Sequence, residues 1–419
     1  MGTLWKIALR NTVRHKRRTI ITAVVMTAGI GFFIFFDSML TGMDGMTIDN
    51  MASYSTSSVK ARNPSYVEDE AAHPLDKGVA DASGALAAIR GAGYEAAPRL
   101  RFVARLSNYE DEIPVIADAV DPVADARVFA VASSVAEGSW LAAGTEANEA
   151  VLGSGLAEEL GLSLGDEILV SAQTVNDATN ADAFVVVGLV SSPSPELNRS
   201  GFFVSLPAAR RLLDADAELA TEIDVFLPKT TLGLEASIAR SDEAAARLAP
   251  LLPGQRLDSL GDLAKDYLAM RNMKAKFSYV MIFVVLIIAA VGIVNTILMS
   301  VYARIREIGV LRAYGMTAKD IGRLFTLEGM VIGAVGSALG VGFGALLDFF
   351  MIRFGFNLDA MMGDIASASV PISGMLYGVW NPKTMVAGFV FGLAVSLISA
   401  RIPARMAARM EPTDALRFS

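Results

Sequence analysis

The chain has 419 residues, 53% of them hydrophobic and only 19% charged, with a formal net charge of −8. That balance is too apolar for a wholly water-soluble protein and too charged for one that lies entirely in lipid, so membrane spans must be combined with a water-exposed domain. There is no cysteine, which excludes a disulfide framework and thiolate metal sites. The two histidines, His15 and His73, have no second histidine at ligand spacing, so zinc and Ser-His-Asp chemistry have no basis.

Residues 1–18 carry six bases, Lys6, Arg10, Arg14, Lys16, Arg17 and Arg18, and no acid. Drawn as a helix, Lys6, Arg10, Arg14 and Arg17 form one stripe, and Trp5, Leu9 and Val13 form its neighbour. Two readings fit: an amphipathic helix at the membrane interface, with Trp5, Lys6, Arg10 and Arg14 against an anionic leaflet, or a basic flank that only fixes topology. The first apolar run, 19–41, exceeds the length of a signal-peptide core. No A-x-A-like site follows it, so it reads as an uncleaved transmembrane anchor.

Residues 42–270 hold 35 acids against 16 bases, and the segment is large enough for its own core. Within it, VLGSGLAEELGLSLGDEILVSAQ (151–173) predicts a short strand, a helix over 154–160, a Gly-Asp turn at 165–166 and a strand over 167–172. A polar loop (174–182) and the strand 183–190 follow. GFFVSL (201–206) then leads into the helix PAARRLLDA, residues 222–228 form another strand, and 234–248 form a helix. Strands alternating with short helices imply an α/β or α+β domain. Residues 52–82, polar with two prolines, give no assignable pattern. No nucleophile, base and orienter trio stands out among the carboxylates, which read as a solvated acidic surface.

Three further apolar runs, 277–302, 324–350 and 384–402, bring the expected spans to four, the third counted from 322. The basic clusters set orientation: 1–18, 303–321 (Arg304, Arg306, Arg312, Lys319) and the tail 403–419 are cytoplasmic, while 42–270 and 351–383 lie outside. A net charge of −19 on the external segment argues against nucleic acid as a partner. The third span carries glycines four residues apart, Gly329 and Gly333, then Gly336, Gly340 and Gly344. They allow close helix packing, either within the chain or in a dimer. Glu328, inside that span, is a functional candidate or a residue that snorkels or pairs with Arg323. Asn295 and Thr296 in the second span are ambiguous in the same way.

Between the second and third spans stands REIGVLRAYGMTAKDI (306–321). Ile305, Ile308, Leu311 and Tyr314 recur every three residues as an apolar edge, while Arg306, Glu307 and Arg312 point elsewhere. Gly315 falls where a helix needs a left-handed stop, and Thr317 to Asp320 is a capping box for the next helix. The loop is therefore a helix, a stop and a new helix. Its apolar edge calls for cover, by a soluble partner or by lipid headgroups.

The run VNTILMSVYARIREIGVLRAYGMTAKDIGRLFTLEGMVIGAVGSALG (294–340) resembles the signature of the FtsX-like permease domain of ABC transporters, here 277–419. The tail PARMAARMEPTDALR (403–417) resembles that family's ending, and VLGSGLAEELGLSLGDEILV, FVVVGLV and GFFVSLPAARRLL resemble its extracytoplasmic domain. One span, a large outer domain and three further spans is the layout of MacB-like and LolC/LolE-like permeases. The resemblance implies that the helix at 304–314 docks on an ATPase, through Arg304, Arg306, Glu307, Ile308, Gly309, Leu311, Arg312, Ala313, Tyr314 and Gly315. No GxxxxGK[ST] loop occurs, so ATP and magnesium would be bound by a partner chain and no cofactor by this one. The thirty or so external residues before span four resemble the lipoprotein-releasing type.

The expected protein is thus an α-helical membrane protein of a bacterial inner membrane, with four transmembrane helices and a large α/β domain between the first two. It would be the non-catalytic subunit of an ATP-driven transporter. The resemblance implies as partners two ATP-binding subunits, a second permease, identical or paralogous, membrane lipid, and a lipid-anchored or hydrophobic substrate. The alternatives are efflux of antimicrobial peptides or macrolide-like compounds, and signalling to an extracytoplasmic hydrolase.

Overall fold

A computed structural model describes residues 2–14, 16–144, 147–230, 233–357 and 375–410. The chain divides into a helical unit, Met1–Met43 with Arg271–Phe356 and Leu376–Ser419, and a sheet unit built on Asp44–Met270.

The chain opens with α1 (Gly2–Arg14) and α2 (Lys16–Met51). The second helix runs ten residues past the apolar stretch that ends at 41. Its continuation is held by packing: Ile48 is fully buried against Leu260 and Ala264, and the Tyr267 hydroxyl donates to Asp44 Oδ1 at 2.8 Å.

The sheet unit then builds β1 (Val59–Arg62), α3 (Pro64–Glu68), α4 (Ala82–Gly91), β2 (Glu95–Ser107), β3 (Glu112–Val120) and α5 (Pro122–Val128). After these come β4 (Val135–Gly138), β5 (Glu149–Gly153), α6 (Ser154–Leu160), β6 (Glu167–Gln173), β7 (Thr179–Val190) and α7 (Pro195–Ser200). The unit finishes with β8 (Phe202–Ser205), α8 (Leu206–Leu212), β9 (Glu222–Phe226), α9 (Leu234–Leu248), β10 (Arg256–Ser259) and α10 (Leu260–Leu263). The elements expected between 151 and 248 are all present. The polar loop is shorter than expected, because β7 begins at Thr179, paired with Gln173 across a tight β6–β7 hairpin. Hairpin pairing rather than apolarity builds that end of the strand, whose first four residues are all exposed.

Strand pairing runs β2-β3-β8-β5-β7-β6 and returns to β2, closing a six-strand circuit. Closure removes sheet edges, and the circuit encloses one apolar core. Leu100, Phe102, Ala104 and Leu106 alternate inward on β2 and meet Ile168, Val170, Phe184, Phe202 and Val204. Beyond β2 the sheet continues as the antiparallel ladder β9-β1-β10. There α4 and α9 cover one face, burying Ile89 and Leu248 on Val59, Ala61, Ile223 and Val225.

In the helical unit, α11 (Lys265–Ala303), α12 (Ile305–Ala313), α13 (Ala318–Phe354) and α14 (Pro382–Arg409) complete the chain. Among the described residues, three helices are long and apolar enough to cross a membrane: Thr19–Thr56, Ala318–Phe354 and Pro382–Arg409. The run at 277–302 falls in α11, where the described stretch Ile287–Ala303 meets α12 at a 65° bend.

The glycines of α13 face two different neighbours. A Cβ on Gly329 would lie 2.4 Å from Ala400 Cβ, and one on Gly333 would lie 2.1 Å from Ser396 Oγ, both on α14. On Gly336, Gly340 and Gly344 it would meet Met26, Ile30 and Ile34 of α2 at 3.0, 2.8 and 2.8 Å. The spacing that left packing partner open is therefore occupied within the chain, because backbones can approach this closely only where no side chain intervenes. Thr22 and Thr296 meet hydroxyl to hydroxyl at 2.6 Å across α2 and α11, while Asn295 is exposed.

Candidate functional site

Helix α12 is defined at both ends by local chemistry. Arg304, at its N-cap, leaves helical geometry with φ −128°, ψ 21° and sets the bend after α11. At the other end Gly315 adopts φ +96°. Its N–H donates to Arg312 O at 3.0 Å, and that of Met316 donates to Leu311 O at 3.1 Å, a Schellman stop. Thr317 then caps α13, its hydroxyl accepting from Asp320 N at 3.3 Å.

A buried charge hub anchors this helix to the long ones. Arg304 is 8% exposed; its Nε donates to Glu307 Oε2 at 2.7 Å and its Nη1 to Glu328 Oε1 at 2.9 Å. The same Glu328 oxygen accepts from Asn11 Nδ2 of α1 at 2.8 Å. The Arg304 guanidinium also lies 5.7 Å from the Phe325 ring centroid. Arg304 thus joins α12 to α13, and Glu328 brings in α1. The sequence pairing of Glu328 with Arg323 does not form: residues five apart sit about 140° apart around a helix, and Arg323 faces Asp320 at 3.8 Å. Arg312 is half-buried and donates from Nη1 to the carbonyls of Ala408 and Met410 at 3.1 and 2.8 Å, tying α12 to the end of α14.

Three of the four residues on the apolar edge of α12 are covered by the chain itself. Ile305 and Ile308 are buried, Gly309 is buried beside them, and Leu311 packs on the same cluster, which also holds Phe325 and Ala404. A partner is therefore not needed to cover Ile305, Ile308 and Leu311, and only Tyr314 of that edge is left open. What α12 presents outward is Arg306, Glu307, Val310 and Ala313, with Tyr314, 88% exposed, and Gly315 beyond its last turn. Val310 went unnoticed because it lies off the three-residue repeat. On α1, Trp5, Lys6, Leu9 and Arg10 are exposed and Ala8 is buried; the Arg14 side chain lies outside the described residues.

The sheet unit holds a second charged site that its sequence conceals. On the face of the β9-β1-β10 ladder opposite α4 and α9, alternation places Lys60, Arg62, Glu222, Asp224 and Asp258, all at most 5% exposed. Lys60 Nζ lies 2.8 Å from Glu222 Oε1 and 3.6 Å from Asp224 Oδ1, and Arg62 lies 2.6 Å from both Asp258 and Glu70. On β2 the buried Arg99 meets Asp125 Oδ1 at 2.7 Å, with its guanidinium 3.4 Å over the Phe129 ring. Arg101 faces Asp118 at 2.8 Å. The carboxylates read as a solvated surface therefore include five that are buried and paired. Residues 52–82, unassignable from their pattern, contribute Lys60, Arg62, Tyr66 and Glu70 to this cluster. Among the described residues no group of three metal-ligating side chains could hold a metal ion.

Two neighbouring carboxyls here titrate in opposite senses. Burial pushes the Asp224 carboxyl up to about 7, with Lys60 offsetting only part of the cost. Burial also opposes ionisation of Glu222, but Lys60 and Arg101 override it and hold Glu222 below the usual carboxylate range. A raised carboxyl favours the folded state when protonated, so its contribution is complete below about pH 4 and is lost as pH rises toward 7. The Glu222 contribution is present above the ordinary range and is lost only on acidification below it. The sheet unit should therefore lose stability between pH 5 and 7, and Asp224→Asn should flatten that slope. Urea unfolding at pH 5, 6, 7 and 8 checks this; an unchanged slope in the variant refutes the assignment.

Comparison with known proteins places both units. The chain matches the MacB-like periplasmic core domain family over residues 19–249 and the FtsX-like permease C-terminal family over residues 279–412. It is 25% identical over 285 residues to the lipoprotein-releasing system transmembrane protein LolC of Neisseria meningitidis, covering 64% of each chain. To LolC of Xylella fastidiosa it is 24% identical over 336 residues, 77% of each chain. To the macrolide export ATP-binding/permease protein MacB of Photorhabdus laumondii it is 30% identical over 131 residues, 31% of this chain and 18% of that one. The matched part thus spans just under two thirds of the Neisseria protein and less than a fifth of MacB.

Proposed function

Because this chain belongs to the family of FtsX-like permeases with a MacB-like periplasmic core domain, we propose that it is the membrane subunit of an ABC transporter driven by a separate ATPase chain. The observation that carries this reading is α12: a short helix with a hard stop at each end, wired to α1, α13 and α14 through Arg304, Glu328 and Arg312. A partner pushing on its exposed Arg306, Val310 and Tyr314 would move the long helices with it, since the hub leaves α12 little freedom to tilt alone. Two of the chain's crossings between the helical and sheet units fall inside helices, α2 and α11. This suits transmission of motion better than a channel does.

In this reading α11 supplies a fourth span, α12 is cytoplasmic, the sheet unit is external, and two permeases meet two ATPase subunits in a bacterial inner membrane. The cargo is a lipid-anchored protein released from the outer leaflet. Support for that cargo comes from the LolC alignments, which run over 64% and 77% of the chain, against 31% and 38% for MacB proteins.

The test is a triple substitution of the outward residues, Arg306→Glu, Val310→Asp and Tyr314→Ala, none of which joins the hub. ATPase copurification in mild detergent should fall at least tenfold, and ATP-dependent release of a lipoprotein from proteoliposomes should cease. Unchanged copurification removes α12 as the docking element. Drug susceptibility on deletion with no lipoprotein release would instead assign export.

A further inference from the structure

The helical unit contains a cleft of about 780 Å³ that the hub does not use, enclosed by the start of α13, the end of α14 and Trp5 of α1. Its rim carries five bases: Lys319 and Arg323 one turn apart on α13, and Arg401, Arg405 and Arg409 at successive turns of α14. Among the described residues only Arg323 has a carboxylate within 4.0 Å, Asp320 at 3.8 Å. The floor is apolar and close-packed: Gly322 sits between the two helices, where a Cβ would already touch Ala408 Cβ at 3.7 Å.

Four bases around one cleft, without acidic partners among the described residues, repel one another, an arrangement that gains stability when an anion enters. The cleft does not end at its rim. Leu327 lines it, and Ile398 and Ile402 lie exposed on α14 beside the arginine stripe, so an apolar surface leads from the bases along the long helices. Trp5, with its apolar ring and polar N–H, stands at the junction, where such side chains favour the membrane boundary.

We infer that this cleft binds the headgroup of an anionic glycerophospholipid, its phosphate among Arg401, Arg405, Lys319 and Arg323 and its acyl chains along Ile398 and Ile402. An acidic peptide would satisfy the bases but would leave the apolar continuation uncovered. Basic clefts between membrane helices at the headgroup level are suited to such lipids. The occupant bridges α13 and α14 where Arg312 already ties α12 to α14, so lipid charge would stiffen the platform on which α12 is mounted. The inference rests on reading α13 and α14 as membrane spans and is independent of the cargo.

Native mass spectrometry of the full chain in detergent, titrated with phosphatidylglycerol, cardiolipin or phosphatidylcholine, tests it. Wild type should retain either anionic lipid at least fivefold better than phosphatidylcholine. Each charge removed should weaken retention about fivefold, so R401Q/R405Q should lose about 25-fold, and R401K/R405K should keep it. K319Q/R323Q, on the other wall, should lose a similar amount. All four positions are exposed, and an unchanged elution profile on gel filtration verifies folding. Equal retention of phosphatidylcholine, or full retention by both glutamine variants, overturns the site. So does loss of a copurifying ATPase from those variants with lipid retention intact, which would make the cleft an acidic protein's docking surface. Those failures would remove the lipid site alone, because the α12 triple substitution tests the ATPase reading separately.

Discussion

Arg99→Ala is expected to destabilise the sheet unit by about 3–5 kcal/mol, the cost of leaving a buried charge unpaired. Arg99 is 1% exposed and Asp125 fully buried, so removing the guanidinium leaves a carboxylate deep in the unit without its ion-pair partner. The substitution also empties the space over Phe129, where the guanidinium lies 3.4 Å from the ring centroid. For a unit of this size that energy corresponds to a midpoint shift on the order of 10 °C, readable by thermal proteolysis of the full chain in detergent. The double variant Arg99→Met, Asp125→Leu should lose less than the single one, because removing both partners leaves no orphaned charge. If the double variant is as unstable as Arg99→Ala, packing rather than charge pairing accounts for the residue.

Arg304→Ala should have the largest functional effect in the helical unit. Among the described residues Glu328, 5% exposed, would keep Asn11 and Ser300 nearby, the latter at 3.5 Å, and its link from α12 to α13 would be cut. A cost of about 3–5 kcal/mol follows from the same unpaired-charge argument. The more informative readout is the ratio of ATP hydrolysis to cargo release: a loosened α12 should still bind an ATPase through its exposed face yet transmit little motion. Arg304→Lys keeps the charge but cannot span both carboxylates as a planar fork does, so it should restore stability more fully than coupling. Equal recovery of both would show that Arg304 serves only stability.

The apolar runs, the short helix and the alternating strands were legible because each is written in local periodicity. Helix 154–160 and helix 234–248 coincide residue for residue with α6 and α9. Gly315 and Thr317 mark the two helix ends as their chemistry requires. The sequence by itself therefore determined the apolar runs, the helices and strands between 151 and 248, where α12 stops, and which family the chain resembles, while β1 to β4 and β10 carried no pattern that named them.

What covers each face was settled only by tertiary structure. A three-residue repeat states that one side of α12 is apolar, but the same pattern would serve a partner, a lipid surface or the chain's own spans; packing on Phe325 and Ala404 selects the last. The glycines of α13 permit close approach by any helix, and the fold assigns them to α2 and α14. Lys60, Arg62, Glu222, Asp224 and Asp258 alternate as a solvated strand face would, yet they are buried. Their partners lie on strands up to about 200 residues apart, brought together by register, which no local window contains. Periodicity records the polarity of a surface, and only the folded chain supplies what lies against it.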